Sequence, residues 1–132
     1  MSKLETPLTR RYWREVGGTL IEEFPAVRPG PGRGQRLIDA VIIPDGPFEI
    51  KTARKVDISG KDIIVVQTKV RRLGMHLMGQ AVFSAKLMER FSPSSIRSVA
   101  ICTNNDEVLE PLLKASGVEL VVYSLDEPEN SA

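Results

Sequence analysis

The 132-residue chain has one cysteine, one histidine and one tryptophan, and aromatic residues make up only 5% of it. A lone cysteine, Cys102, excludes an intramolecular disulfide and a zinc site built from thiolates. It sits in the apolar run "SVAICT", where a buried, inert thiol is expected. The lone histidine, His76, has no neighbouring ligands in the sequence, makes a poor zinc site and reads as peripheral. No stretch approaches the roughly eighteen consecutive apolar residues of a membrane span, so no membrane partner is expected. The opening "MSKLETPLTRRYW" lacks the apolar region of a secretory signal, and a cytoplasmic location is the expectation. "GPGRGQ" lacks the Gly-Lys-Ser/Thr ending of a phosphate-binding P-loop, which excludes that reading.

What the chain does have is the composition of a globular core, 42% hydrophobic and 27% charged. The length suits one domain over residues 1–125, followed by an acidic tail, "DEPENSA" at 126–132, expected to be disordered. Net charge is only +1, but it is unevenly spread. Residues 1–74 hold 14 Lys/Arg against 9 Asp/Glu, whereas residues 75–132 hold 4 against 8. A basic half and an acidic half suggest one face for a polyanion.

Hydrophobic patterning and punctuation set the elements. "TPLTRRYWREV" carries helix-start signals at Thr6 or Thr9 near Pro7 and stops at Gly17-Gly18. "TLIEEFPAV" and "LIDAVII" read as strands, separated by "RPGPGRGQR", a Gly/Pro loop bearing Arg28, Arg33 and Arg36. After the turn Pro44-Asp45-Gly46-Pro47, "FEIKTARKVDI" reads as a returning strand. "IIVVQTKV" is the most strand-like run of all. A helix is expected over residues 75–91, stopped by Ser92-Pro93. "SVAICT" is a strand, "NDEVLEPLLKAS" a helix capped by Asn104 or Asn105, and "VELVVYSL" a final strand. The order αβββ(β)αβαβ implies parallel crossovers after residue 63, hence an α/β fold with a mixed sheet flanked by helices.

The strand "IIVVQTKV" ends unusually. Alternation puts Ile63, Val65, Gln67 and Lys69 on one face, so an apolar row finishes in an amide and an amine. Asp39 stands alone among Leu37, Ile38, Ala40, Val41, Ile42 and Ile43, where an unpaired carboxylate is costly. It is expected to face a cation; a plain salt bridge to Arg36 or Lys69 is the simplest form of that pairing. On the following helix His76, Gln80 and Ser84 recur every fourth residue, a narrow polar stripe between apolar neighbours that suggests a polar cleft.

An aspartate on one strand, an x-Lys pair on the next and a helix with a glutamine resembles the PD-(D/E)XK nuclease superfamily, the restriction-endonuclease-like fold. That family's core is helix, three antiparallel strands, helix, strand, which corresponds to residues 7–103 here. The resemblance implies a metal-dependent nuclease, with Asp39 as the aspartate, Gln67 in the D/E position and Lys69 as the lysine. Asp39, Gln67 and Glu15 of the first helix would then hold Mg²⁺ or Mn²⁺, and Lys69 would orient the attacking water or meet the developing charge. "GQAVF" is similar to the Q-x-x-Y helix motif of helicase-associated exonucleases, with Gln80 kept and Phe83 in place of tyrosine. The size and the arginine-bearing loop also resemble archaeal Holliday-junction resolvases. Arg28, Arg33, Arg36, Arg71 and Arg72 are the expected phosphate contacts on a nucleic-acid partner, with DNA preferred over RNA.

Two features complicate the resemblance. Gln67 replaces an acid, so it offers a neutral oxygen to a cation that takes oxygen ligands. "FEIKTA" also contains a formal E-x-K, Glu49 and Lys51, but no helix follows it. A nuclease-fold domain that has lost catalysis and binds nucleic acid or a protein partner is therefore the alternative, with a plain interaction domain behind it. DNA or RNA, the structure of the substrate, and monomer or homodimer all stay open at this level.

Overall fold

A computed structural model of the chain describes residues 1–125; the tail at 126–132, expected to be disordered, lies outside the described residues. Three helices and six strands follow in the order α1 (Glu5–Val16), β1 (Thr19–Val27), β2 (Arg36–Ile43), β3 (Glu49–Lys51), β4 (Asp62–Thr68), α2 (Met75–Met88), β5 (Ser95–Cys102), α3 (Leu109–Ala115) and β6 (Val118–Val122). The strands form one mixed sheet in the order β3-β1-β2-β4-β5-β6. β2 runs antiparallel to β1 and β4, while β4, β5 and β6 are parallel to one another. Each parallel step needs a crossover, and α2 and α3 supply the two. Among the described residues no helix is long and apolar enough to cross a membrane.

The core lies on both faces of the sheet. On one, Tyr12 and Trp13 of α1 pack on Leu20, Ala40, Ile42, Ile64, Val66, Val99 and Ile101. On the other, Met88 of α2 packs with Ile63, Val65, Val41 and Ile43, and Leu77 and Ala81 pack with Ala100 and Cys102. Central β4 is buried on both faces, which is why its sequence is a continuous Ile/Val run rather than an alternation. Burial of side chains of this size contributes about 1.5–3 kcal/mol each. Cys102 is buried in the α2-side core, and burial pushes its thiol up, away from the reactive thiolate.

Several ends differ from the sequence-based expectation. α1 starts at Glu5, one residue before Thr6 and well before Thr9, and Ser2 and Glu5 cap it reciprocally. The Glu5 N–H donates to Ser2 Oγ at 3.2 Å, and the Ser2 N–H donates to Glu5 Oε1 at 2.9 Å. "FEIKTARKVDI" is not a strand throughout. Only Glu49–Lys51 pairs, parallel to β1 at the sheet edge, and a 3₁₀ turn (Ala53–Lys55) follows. The Pro47 carbonyl accepts from Thr19 Oγ1 at 2.8 Å, drawing this segment past β2 to the outer side of β1. α3 is capped by Asp106 instead of an asparagine: its Oδ1 accepts from the Val108 and Leu109 N–H groups, both at 3.0 Å.

At the far end of α1, Gly18 has φ +85°, and a Cβ there would fall 2.2 Å from the Ile43 carbonyl oxygen. Only glycine permits that approach. The Gly18 carbonyl accepts the Trp13 indole N–H at 2.7 Å, and the Trp13 ring stacks on Phe48 with centroids 4.2 Å apart.

Candidate functional site

The site grows from a fault in strand alternation. In β1, Leu20 faces α1 and Ile21 faces α2, yet Phe24 and Ala26 both join the α2-side core. The slip falls at Glu23, a non-glycine residue with φ +52°. β2 slips at the matching place: Ala40 and Ile42 face α1, Val41 and Ile43 face α2, and Ile38 is again on the α2 side. Glu23 and Asp39 are the residues lying between the paired positions Glu22–Ala40 and Phe24–Ile38. Both acidic side chains are thereby released from the regular pleat.

Asp39 does not take a salt bridge to Arg36 or Lys69. The β2–β4 ladder runs only from Ile42–Ile64 to Ala40–Val66, and beyond it Asp39 Oδ2 accepts the Thr68 N–H at 2.9 Å. The carboxylate takes the place of a strand partner at the point where β2 and β4 part. Burial pushes the Asp39 carboxyl up; the Thr68 N–H and the Met1 amine pull it back, and Glu5 and Glu23 push it up further. The Met1 amine donates to Glu23 Oε1 at 2.5 Å.

Lys69 lies one residue past the end of β4, so the strand's alternation no longer governs it. Its Nζ is 3.9 Å from Glu5 Oε2, at the N-terminal end of α1. Thr68 also reaches α1, with its hydroxyl 2.7 Å from that of Thr9. α1, β2 and β4 therefore bring Glu5, Asp39 and Lys69 to one end of the sheet. Glu15 is not with them. It is ten residues along α1 from Glu5, about 15 Å of helix rise. Its Oε2 accepts the Tyr123 hydroxyl at 2.5 Å and its Oε1 is 3.6 Å from Arg11 Nε. The acid of α1 at this end of the sheet is Glu5, beside Lys69, and the Ser2-x-x-Glu5 capping pattern is the sequence signal that marks its position.

Gln67 takes the opposite side. It is 4% exposed and donates Nε2 to Ser84 Oγ of α2 at 2.6 Å. With Arg36, His76 and Gln80 these two residues line a groove of about 560 Å³ between the start of β2 and α2. The polar stripe of α2 does look into a cleft, as its spacing suggested, and Gln80 shares that cleft with Gln67 rather than with Asp39. The other E-x-K pair, Glu49 and Lys51, sits on β3 beside Thr19 and Ile21, with β1 and β2 between it and β4, and its side chains pair with each other at 3.6 Å.

The arginines divide. Arg36 lines the groove, while Arg71 is exposed just past β4 and Arg72 donates to the Asn105 carbonyl at 2.5 Å. Arg33 belongs to a tight turn closed by reciprocal Gly30–Arg33 backbone bonds. Arg28 borders a different hollow, beside Phe24 and Phe91.

Among the described residues no three His, Cys, Asp or Glu side chains are close enough to form a metal site by themselves. Mg²⁺ binds through one or two carboxylates and keeps several waters, and Asp39 and Glu5 are the carboxylates at this end of the sheet that would serve it. Their mutual repulsion, which adds to the raised Asp39 value, is what such a cation relieves. Comparison with protein-family models, with curated proteins and with solved structures found no match to this chain, so the reading of the site rests on its own residues and geometry.

Proposed function

We propose that this chain is a metal-dependent nuclease of the PD-(D/E)XK kind, hydrolysing phosphodiester bonds of nucleic acid, with DNA as the preferred substrate. The observation that carries the reading is the meeting of two carboxylates and an amine where β2 and β4 part: Asp39 on the Thr68 N–H, and Glu5 within 3.9 Å of Lys69. The element order α1-β1-β2-β4-α2-β5 supports a restriction-endonuclease-like core around them.

In this reading Asp39 and Glu5 hold the divalent cation, which when bound supplies phosphate polarisation and a more acidic water. The Thr68 N–H holds one oxygen of the Asp39 carboxylate, which leaves the other for a cation. Lys69 places a positive charge against the negative charge that develops on the phosphorus oxygens. Arg36, Arg71 and Arg72 hold flanking phosphates, a contact independent of sequence and weakened by salt.

One observation favours a second reading, a nuclease-fold domain that binds without cleaving. Gln67, at the second acidic position of the motif, is committed to Ser84 on the other side of the sheet. The deciding experiment incubates wild type and Asp39→Ala with branched, nicked and single-stranded DNA and RNA, in Mg²⁺ and in Mn²⁺. Cleavage by wild type that drops at least about a hundredfold in Asp39→Ala supports the hydrolytic reading. A wild type that shifts these substrates but cleaves none with either metal supports the second.

A further inference from the structure

The groove beside α2 has a different chemistry from the Asp39 cluster. No acidic side chain is among its lining residues, and Arg36 and His76 are the groups there that can carry positive charge. Phe83 at its rim is 64% exposed and Met75 is 71% exposed, large apolar surfaces that folding leaves in water. Gln67, almost wholly buried, gives its N–H to Ser84 and lines the groove, so its amide is held in one orientation there. Gln80, exposed on the same wall, offers both a donor and an acceptor. Room is made by Gly79, in the middle of α2, where a Cβ would meet nothing within 4 Å. A helix-interior glycine costs about 1 kcal/mol relative to alanine, and what it leaves here is open space.

We propose that this groove holds one unpaired base of a single-stranded nucleic-acid segment: the base lies against Phe83, its polar edge meets the amides of Gln67 and Gln80, and Arg36 takes the adjoining phosphate. The proposal rests on the nucleic-acid reading above and adds the substrate class, a strand with at least one unstacked base. A flat aromatic ligand with hydrogen-bonding edges fits one exposed ring and two side-chain amides, and its anionic backbone fits an acid-free wall with an arginine. A duplex would keep its bases stacked and out of reach of Phe83. The volume, about 560 Å³, lies within the range of sites that hold small organic groups, roughly 300–1,000 Å³. Ile38 lines the groove and Asp39, the next residue, belongs to the cluster, so the two regions adjoin along β2.

The test is fluorescence anisotropy with the full chain in EDTA, so that binding is read without cleavage. The probes are labelled oligothymidylate of about ten nucleotides, within single-strand site sizes, an abasic oligomer of equal length, and a duplex of equal length. The expected result is about tenfold tighter binding of oligothymidylate than of the abasic strand, from stacking of one base. Gly79→Leu, which fills the groove, and Phe83→Ala, which removes the stacking face, should each abolish that preference with circular dichroism unchanged. Arg36→Ala should weaken both single strands alike. Equal affinity for the two single strands, tighter binding of the duplex, no binding of any probe, or a preference that survives Gly79→Leu in a folded protein would each overturn the proposal. A base preference in a protein that cleaves nothing would uphold the groove and sink the hydrolytic reading; cleavage without the preference would do the reverse.

Discussion

Gln67 and Thr68 are neighbours on β4, yet they serve two unlike regions. Thr68 and the lysine after it turn to the N-terminal end of α1, where Asp39, Glu5 and Lys69 gather charge in a half-buried setting. Gln67 turns to α2, where amides, a hydroxyl and an exposed aromatic ring line an acid-free groove. The first region is marked by charge and the second by an open, acid-free cavity. One strand end can supply both because successive residues face opposite ways, and because the slip at Glu23 and Asp39 lets a carboxylate leave its expected row.

The sharpest way to test the division is to exchange which glutamate of α1 is lost. Glu5→Ala should lower cleavage by about a hundredfold, whereas Glu15→Ala should stay within about twofold, measured as kcat/KM at saturating Mg²⁺. Equal losses would erase the distinction between the two ends of α1.

A smaller effect is expected when charge is moved to the groove side. Gln67→Glu buries a carboxylate and removes the N–H that Ser84 accepts, so stability should fall by about 1–3 kcal/mol in urea unfolding. It should not restore cleavage to Asp39→Ala. Rescue by that pair would place Gln67 in the charged region after all.

Next comes the pH dependence of Asp39. Its carboxyl is raised by burial above the ordinary value of 3.8, so the folded chain holds this proton more tightly than the unfolded chain does. The stabilising contribution is complete below that ordinary value and is lost as pH rises through the folded one. Asp39→Asn keeps an acceptor for the Thr68 N–H and does not titrate. In EDTA its Tm relative to wild type should therefore climb across that window and then level off. A difference that is flat, or that falls with pH, would contradict the buried-carboxylate picture.

The smallest change concerns the Thr9–Thr68 hydroxyl pair that ties β4 to α1. Thr9→Val should cost about 1–2 kcal/mol by leaving the buried Thr68 hydroxyl without this partner, Thr68→Val should cost less because Thr9 keeps the Glu5 carbonyl, and the double variant should cost less than the sum. Additive losses would mean that the two hydroxyls act independently.

The strands and helices were largely legible because their signals are local. "IIVVQTKV" announces a doubly buried strand, and Gly17-Gly18 and Ser92-Pro93 mark helix ends. What escaped depended on contacts between distant segments. β3 runs parallel to β1 because Thr19 draws Pro47 across the sheet edge, which nothing in "FEIKTA" reveals. Strict alternation put Gln67 and Lys69 together, but Lys69 lies beyond the strand and follows Glu5 instead. Glu15 lies on α1 as the resemblance implied, but only the packing of α1 against β4 shows that Glu5, at the other end of the helix, is the acid near Lys69. The groove was the best foretold part, since the four-residue spacing of His76, Gln80 and Ser84 is a property of the helix alone.

Trp13 gives the molecule an optical gauge. It is the chain's only tryptophan, shut between Phe48 and the Gly18 carbonyl at the end of α1 away from Glu5. Eight residues of helix, about 12 Å, separate it from the charged cluster. Its emission therefore reports whether α1 is seated on the sheet and stays silent to what happens at Asp39. A shift to longer wavelength in any variant signals a helix that has lifted. An unshifted spectrum with lost cleavage isolates the defect to the chemistry.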